Sequence, residues 1–214
     1  AEADRHALRV LELAPRRFGE DHGFCIEASQ LLGKSHFAQR DFDAAARLII
    51  QHVETLRKRA GGRATAEFLS GLDDSLPVLD AADELAAGES SSRILYEHFG
   101  AMGAHGGTFR TQYTLYLARF LSRQGRHDAA QALFAQVEQI ETGAAEESRW
   151  RIDLCYGGHL AAVGRLQEAE QRLLIVAVEV VVDVEPGLEA GEGRHVRIAE
   201  PVEVRDASFT KRRS

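Results

Sequence analysis

The sequence predicts an all-α protein, a solenoid of antiparallel helix pairs that extends over residues 1–182. A short motif occurs three times, at 39–49, 124–134 and 163–173, and each copy holds a turn residue, a small residue and a large apolar residue four positions later. An apolar stretch of one helix length precedes each copy. Self-similarity at a regular spacing is typical of repeat proteins, in which every unit packs on its neighbours.

The predicted helices lie on both sides of each turn. The first helices of the pairs are expected at 24–39, 109–123 and 150–163, and the second helices at 43–59, 127–141 and 167–182. Their apolar residues recur at steps of three and four, as one buried helix face requires. Residues 3–18 have the pattern of a second helix alone, so we expect the chain to begin within a repeat and to be a piece of a longer protein.

A further, less regular unit is expected between the first two copies. Gly125 and Gly164 are 39 residues apart, and Arg40 and Gly125 are 85 residues apart, which is about two such periods. The candidate turn is at Gly88, although Arg93 then stands where the other copies have a small residue.

Two segments depart from the helical pattern. Pro77 interrupts the stretch 65–87, and because proline removes a backbone hydrogen bond inside a helix, we expect a broken helix there. Residues 183–214 contain several glycines and prolines, and 195–205 alternates apolar and polar side chains. We therefore predict that 183–214 is a separate tail, either disordered or a short hairpin.

The overall composition limits the classes of partner. The formal net charge is -7, which argues against nonspecific binding to nucleic acid. No apolar run reaches the roughly 18 residues that a membrane-spanning helix needs. Cys25 and Cys155 are far apart and match no metal-ligand spacing. We therefore expect reduced thiols and a cytoplasmic location, with neither nucleic acid nor a membrane as partner.

At the repeated positions the chain resembles a tetratricopeptide repeat (TPR) array, which implies a right-handed solenoid. The turn residues are Arg40, Gly125 and Gly164, the small first-helix residues Gly33, Ala118 and Gly157, the small second-helix residues Ala45, Ala130 and Ala169, and the large apolar residues Ile49, Phe134 and Leu173. Two helices approach closely only where small side chains lie at the crossing, and the large residue then fills the gap to the next helix. The long period and the segment 18–22 resemble the kinesin-light-chain-like variant. The stretch 150–174 is similar to repeats appended to bacterial serine/threonine protein kinases.

The resemblance implies a protein–protein interaction module whose concave groove is lined by the first helices. The groove positions are Lys34, Phe37, Gln112, Arg119, Arg151 and Leu154. Cations in a groove of an acidic protein favour an acidic protein or peptide as partner. The alternative is that the cations pair with neighbours in their own chain, such as Glu27 or Asp153.

A second hypothesis, also from the resemblance, is a C-terminal regulatory or scaffold segment of a larger serine/threonine kinase, and a third is an oligomerisation domain. The sequence has no Gly-rich kinase loop, no His-Arg-Asp or Asp-Phe-Gly motif and no nucleophile motif. We therefore expect no catalytic residue and no enzyme activity in this segment.

No metal or cofactor is predicted either. His98 and His105 are seven residues apart among glycines, which is typical of a polar loop, whereas a zinc site needs three or four ligands. Trp150 is the only tryptophan and begins a helix with apolar neighbours, so core packing is favoured over stacking with a ligand.

Overall fold

The computed structural model describes residues 2–19, 22–140 and 149–182, and this part of the chain is an all-α solenoid, as the sequence predicts. Its helices are α1 (Glu2–Phe18), α2 (Gly23–Ala38), α3 (Phe42–Ala60), α4 (Ala66–Ala81), α5 (Leu85–Ala101), α6 (Gly107–Arg123), α7 (His127–Ile140), α8 (Arg149–Ala162) and α9 (Leu166–Val182). A 3-10 helix, Gly103–Gly106, joins α5 to α6. The described ranges contain no strand. The predicted tail 183–214 lies outside them.

Each helix packs on the next one along the chain, and the first helices of neighbouring pairs also meet. The pairs are α2/α3, α4/α5, α6/α7 and α8/α9, while α1 packs on α2. Helix α6 contacts α8 directly, and hydrogen bonds between side chains join α2 to α4 and α4 to α6. The first helices therefore lie side by side. Among the described helices, none is long and apolar enough to span a lipid bilayer.

A residue in the left-handed region turns the chain within each pair. The φ angles are 62° at Arg40, 60° at Asp83, 77° at Gly125 and 80° at Gly164. Glycine adopts this conformation freely, whereas Arg40 and Asp83 adopt it against a steric cost. The turn of the second unit is thus at Asp83, and the prediction that placed it at Gly88 is wrong.

Gly88 instead belongs to the interior of α5, where it is buried. It follows the turn at Asp83 by five residues, as Ala45 follows Arg40, so it is the small second-helix residue of this unit. A Cβ atom placed on Gly88 would lie only 2.2 Å from Cε1 of Phe120 on α6. The second helix of this unit therefore leaves no room for a side chain at position 88 unless the Phe120 ring or α5 moves.

The second unit also exchanges the sizes of the two residues at its internal helix crossing. In the first unit, a Cβ atom on Gly33 would lie 2.9 Å from the side chain of Ile49. At the equivalent positions of the second unit the structure has Leu76 and Ser92, both 0% exposed. A large residue on the first helix and a small residue on the second fill the space between the two crossing helices as completely as the reverse order does.

The repeat positions of the other units lie in the core. The buried ones are Ala45, Ile49, Ala118, Ala130, Phe134 and Ala169. In the last unit, a Cβ atom on Gly157 would lie 2.9 Å from Leu173, which is half-buried. The Phe134 ring stacks on Tyr156 of α8 with the ring centres 4.9 Å apart, and this contact joins the third unit to the fourth.

Helix α4 continues through Pro77 to Ala81, so the prediction of a broken helix in this stretch is wrong. The proline ring lies on the exposed face of α4. Leu72, Leu76 and Leu79 on the opposite face are buried. Their burial stabilises the helix by more than the loss of one backbone hydrogen bond costs.

Candidate functional site

A groove with two adjoining cavities runs between α6 and α8. The first cavity has a volume of about 160 Å³, and its lining residues are Gln112, Leu115, Tyr116, Arg119, Trp150, Arg151, Leu154 and Cys155. Four of the six groove residues predicted from the sequence line it together: Gln112, Arg119, Arg151 and Leu154. They come from two helices that are adjacent only in the folded chain.

The second cavity has a volume of about 340 Å³ and continues from the first toward the C-terminal ends of both helices. The two cavities share Arg119, Leu154 and Cys155. Arg123 and His159 then line the far part. Because the shared residues connect the cavities, they form one elongated depression, which we call the α6–α8 groove.

Apolar side chains form one wall of this groove. Trp150 is 40% exposed and Leu154 is 46% exposed. They are four residues apart on α8 and therefore lie on the same side of that helix. Tyr116 of α6 is opposite and half-buried. The preference for Trp150 as a core residue is wrong, because its ring borders the groove.

The cations predicted for the groove differ in whether they have a partner. Lys34 Nζ lies 3.2 Å from Asp74 of α4, and Arg119 Nη2 lies 2.9 Å from Asp80 of the same helix. Arg151 forms no ion pair with any residue in the described ranges. Two of the three cations therefore neutralise carboxylates of their own chain, whereas Arg151 pairs with no carboxylate in the part of the chain that the structure describes.

The carboxylates that neutralise these cations are not the ones suggested by the sequence. Glu27 is exposed and lies on the same helix as Lys34. Asp153 is 1% exposed and binds Arg149 at 3.3 Å and Arg172 at 2.8 Å, so it joins α8 to α9. Its role is to hold the last helix pair together.

Phe37 and Lys34 lie away from the α6–α8 groove. Phe37 is half-buried near the end of α2, where it packs against the cluster around Ala45 and Ile49. Its ring centre is 5.6 Å from that of Phe42. Phe37 is thus engaged within its own helix pair, and the structure does not bring it together with the groove residues of α6 and α8.

The titratable groups of the groove favour binding over chemistry. Burial raises the pKa of the Cys155 thiol, which keeps it protonated and weakly nucleophilic at neutral pH. Burial also raises the pKa of Tyr116. His159 is hydrogen-bonded through Nδ1 to the Ser122 hydroxyl at 2.8 Å, and burial lowers the pKa of its imidazole, so it is neutral. Sequence patterns did not reveal this Ser122–His159 pair, because its members are 37 residues apart.

No metal site was found in the described parts of the chain, where no three His, Cys, Asp or Glu side chains cluster suitably. His98 packs edge-on against Phe99, with the ring centres 5.1 Å apart. The side chain of His105 lies outside the described residues, so the pairing of these two histidines stays open.

The structure has the fold of known TPR-like repeats, although no protein-family model and no curated protein matches the sequence. One similar crystal structure is that of a point variant of nearly identical TPR-like repeats, described as a kinesin light chain of Podosopora anserina. Its sequence is 18% identical to this chain, the TM-score is 0.67, and the alignment covers 86% of this chain and 88% of that chain. A second crystal structure of such repeats from that organism is 17% identical with a TM-score of 0.66, at the same coverage. At this level of identity the similarity shows the fold alone. The described part of the chain is therefore a TPR-like repeat array.

Proposed function

We propose that this chain is a protein–protein interaction module that binds an extended acidic segment of a partner protein in the α6–α8 groove. Stacked helical repeats build long concave surfaces of this kind, and TPR-like folds generally mediate contacts between proteins. The groove is open along its length and is lined by side chains from two units, which suits a peptide better than a compact small molecule.

The observation that carries the proposal is the position of Arg151 beside an exposed apolar wall. Within the described ranges Arg151 forms no ion pair, and Trp150 and Leu154 flank it on α8. Guanidinium groups bind carboxylates through two parallel hydrogen bonds, and a groove concentrates the field of its cations. A segment that presents a carboxylate next to an apolar side chain satisfies both features.

Catalysis by this segment is not part of the proposal. Burial raises the pKa of the Cys155 thiol in the groove, so this thiol stays protonated and is a weak nucleophile. Linkage to a serine/threonine kinase, a cytoplasmic location and a domain boundary near residue 182 stay predictions from the sequence.

The test compares the parent with Arg151→Gln on an array of acidic peptides and their Gln-substituted counterparts. Arg151 is the informative position because Arg119 is already paired with Asp80. The matched control is Arg47→Gln, which removes the same charge from an exposed residue of α3, a helix that does not line the groove. We expect the parent to prefer acidic peptides, Arg151→Gln to weaken their binding about fivefold at low salt, and Arg47→Gln to leave it unchanged within about twofold. Absence of a preference for acidic peptides, or equal losses in the two variants, would contradict the proposal.

A further inference from the structure

From the contacts around Asp80, we infer that this carboxylate is an internal competitor for the acidic partner and sets how strongly the α6–α8 groove binds it. The inference rests on the proposed function, because it concerns the same groove. It goes further by naming a residue outside the groove lining that lowers the affinity of the groove for an anion.

Two guanidinium groups of the groove converge on Asp80. The Asp80 Oδ2 atom lies 2.9 Å from Arg119 Nη2, and its Oδ1 atom lies 2.8 Å from Arg123 Nη1. Arg119 and Arg123 are one turn apart on α6, so they reach the same carboxylate from successive turns. Asp80 therefore occupies the position between two cations that a carboxylate of a partner would take.

The two arginines are accessible and their counterion is not. The Arg119 and Arg123 side chains are 46% and 35% exposed, whereas the Asp80 side chain is 12% exposed. Asp83 adds a second, exposed carboxylate 2.6 Å from Arg123. An incoming carboxylate meets arginines whose charge is largely neutralised, and it is also repelled by the Asp80 carboxylate beneath them.

The same carboxylate also joins α4 to α6, so a purely structural role is the alternative explanation. Asp74 is the control that distinguishes the two roles. It lies on the same helix and joins α4 to α2 by accepting hydrogen bonds from Gln30 at 2.7 Å and Lys34 at 3.2 Å. Asp74→Asn and Asp80→Asn remove the same charge and one bridge between helices, but only Asp80→Asn removes the counterion of the groove.

The probe is a fluorescein-labelled ten-residue peptide of Glu with two Leu residues, and its Gln counterpart is the reference. Its affinity is measured by fluorescence anisotropy at low and high salt, with the melting midpoint of every variant recorded. We expect Asp80→Asn to bind the acidic peptide about three- to fivefold more tightly than the parent at low salt, and Asp74→Asn to bind it as the parent does. The gain should shrink at high salt, because salt screens exposed charges.

A second variant covers the case in which Asp80→Asn does not fold. Asp83→Asn removes the exposed counterion of Arg123, and asparagine tolerates the left-handed turn at this position, so this variant should fold and bind about twofold more tightly. If the parent binds but neither folded variant binds more tightly, the inference on Asp80 is overturned and the proposed function stands. If no protein prefers the acidic peptide over its Gln counterpart, both are overturned.

Discussion

The substitution Gly88→Ala tests the closest approach between helices of neighbouring units. Alanine at this position would place its Cβ atom 2.2 Å from Cε1 and 2.3 Å from Cζ of Phe120. Carbon atoms in contact are normally about 3.5 to 4.0 Å apart. The Phe120 ring or α5 must therefore move by more than an ångström, and Phe120 is 0% exposed.

Two opposing effects determine the magnitude. Replacing glycine by alanine inside a helix stabilises it by about 0.5 to 1 kcal/mol, because the unfolded chain loses freedom. Overpacking of a filled core costs about 1 to 3 kcal/mol. We therefore expect a net loss of about 1 to 2 kcal/mol in the free energy of unfolding. The melting midpoint should fall by roughly 2 to 8 °C for a chain of this length.

The assay is urea and thermal denaturation followed by circular dichroism, with Gly158→Ala as the matched control. Gly158 is also inside a helix, but a Cβ atom there would meet nothing within 4 Å. This variant should be more stable than the parent by about 0.5 to 1 kcal/mol. In the double variant Gly88→Ala, Phe120→Leu, the smaller side chain should relieve the clash, so its loss should be smaller than the sum of the two single losses. If Gly88→Ala is as stable as Gly158→Ala, the close packing of α5 on α6 is refuted.

Two further predictions concern buried polar groups. Burial lowers the pKa of both His52 and His159, so each imidazole binds its proton less readily in the folded than in the unfolded chain, where its pKa is about 6.5. The stability from these groups is present above that value and is lost as the pH falls below it. The urea midpoint of the parent should therefore decrease as the pH is lowered from 7.5 to 5, and the midpoint of His159→Gln should decrease less steeply. If the midpoints of the two proteins decrease by the same amount, the role of His159 is refuted. Arg172 binds Glu138 and Asp153, so Arg172→Met should cost about 2 to 3 kcal/mol in the same denaturation assay, with the remaining contact to Arg149 limiting the loss; a loss below about 0.5 kcal/mol would contradict this.

The sequence predicted three of the four helix pairs because each shows the same order of residue sizes. Gly33 and Ile49, for example, carry the small-then-large order at the spacing that the motif requires. The second unit escaped this pattern because Leu76 and Ser92 reverse the order and because Asp83, rather than glycine, forms its turn. A search for a motif detects residue types, whereas packing requires only that the two volumes together fill the crossing.

The candidate site was predictable in its position along the chain but not in its electrostatics. The resemblance to TPR arrays implied groove positions for Arg119 and Arg151 on the first helices of their pairs, and both line the α6–α8 groove. The partner of Arg119 is Asp80, 39 residues away, and only the stacking of units brings them together. The exposure of Trp150 was missed for a related reason: an apolar residue at the start of a helix looks the same in sequence whether a neighbouring helix covers it or not.

The exchange of sizes between Leu76 and Ser92 restricts how this protein can be altered by recombination. Both positions are 0% exposed, so a second unit with glycine in place of Leu76 would contain a void, and one with leucine in place of Ser92 would overfill the core. The two positions must therefore change together, so single substitutions toward the motif of the other units pass through a destabilised intermediate. Grafts between units should succeed only when both helices of a pair are transferred as one block.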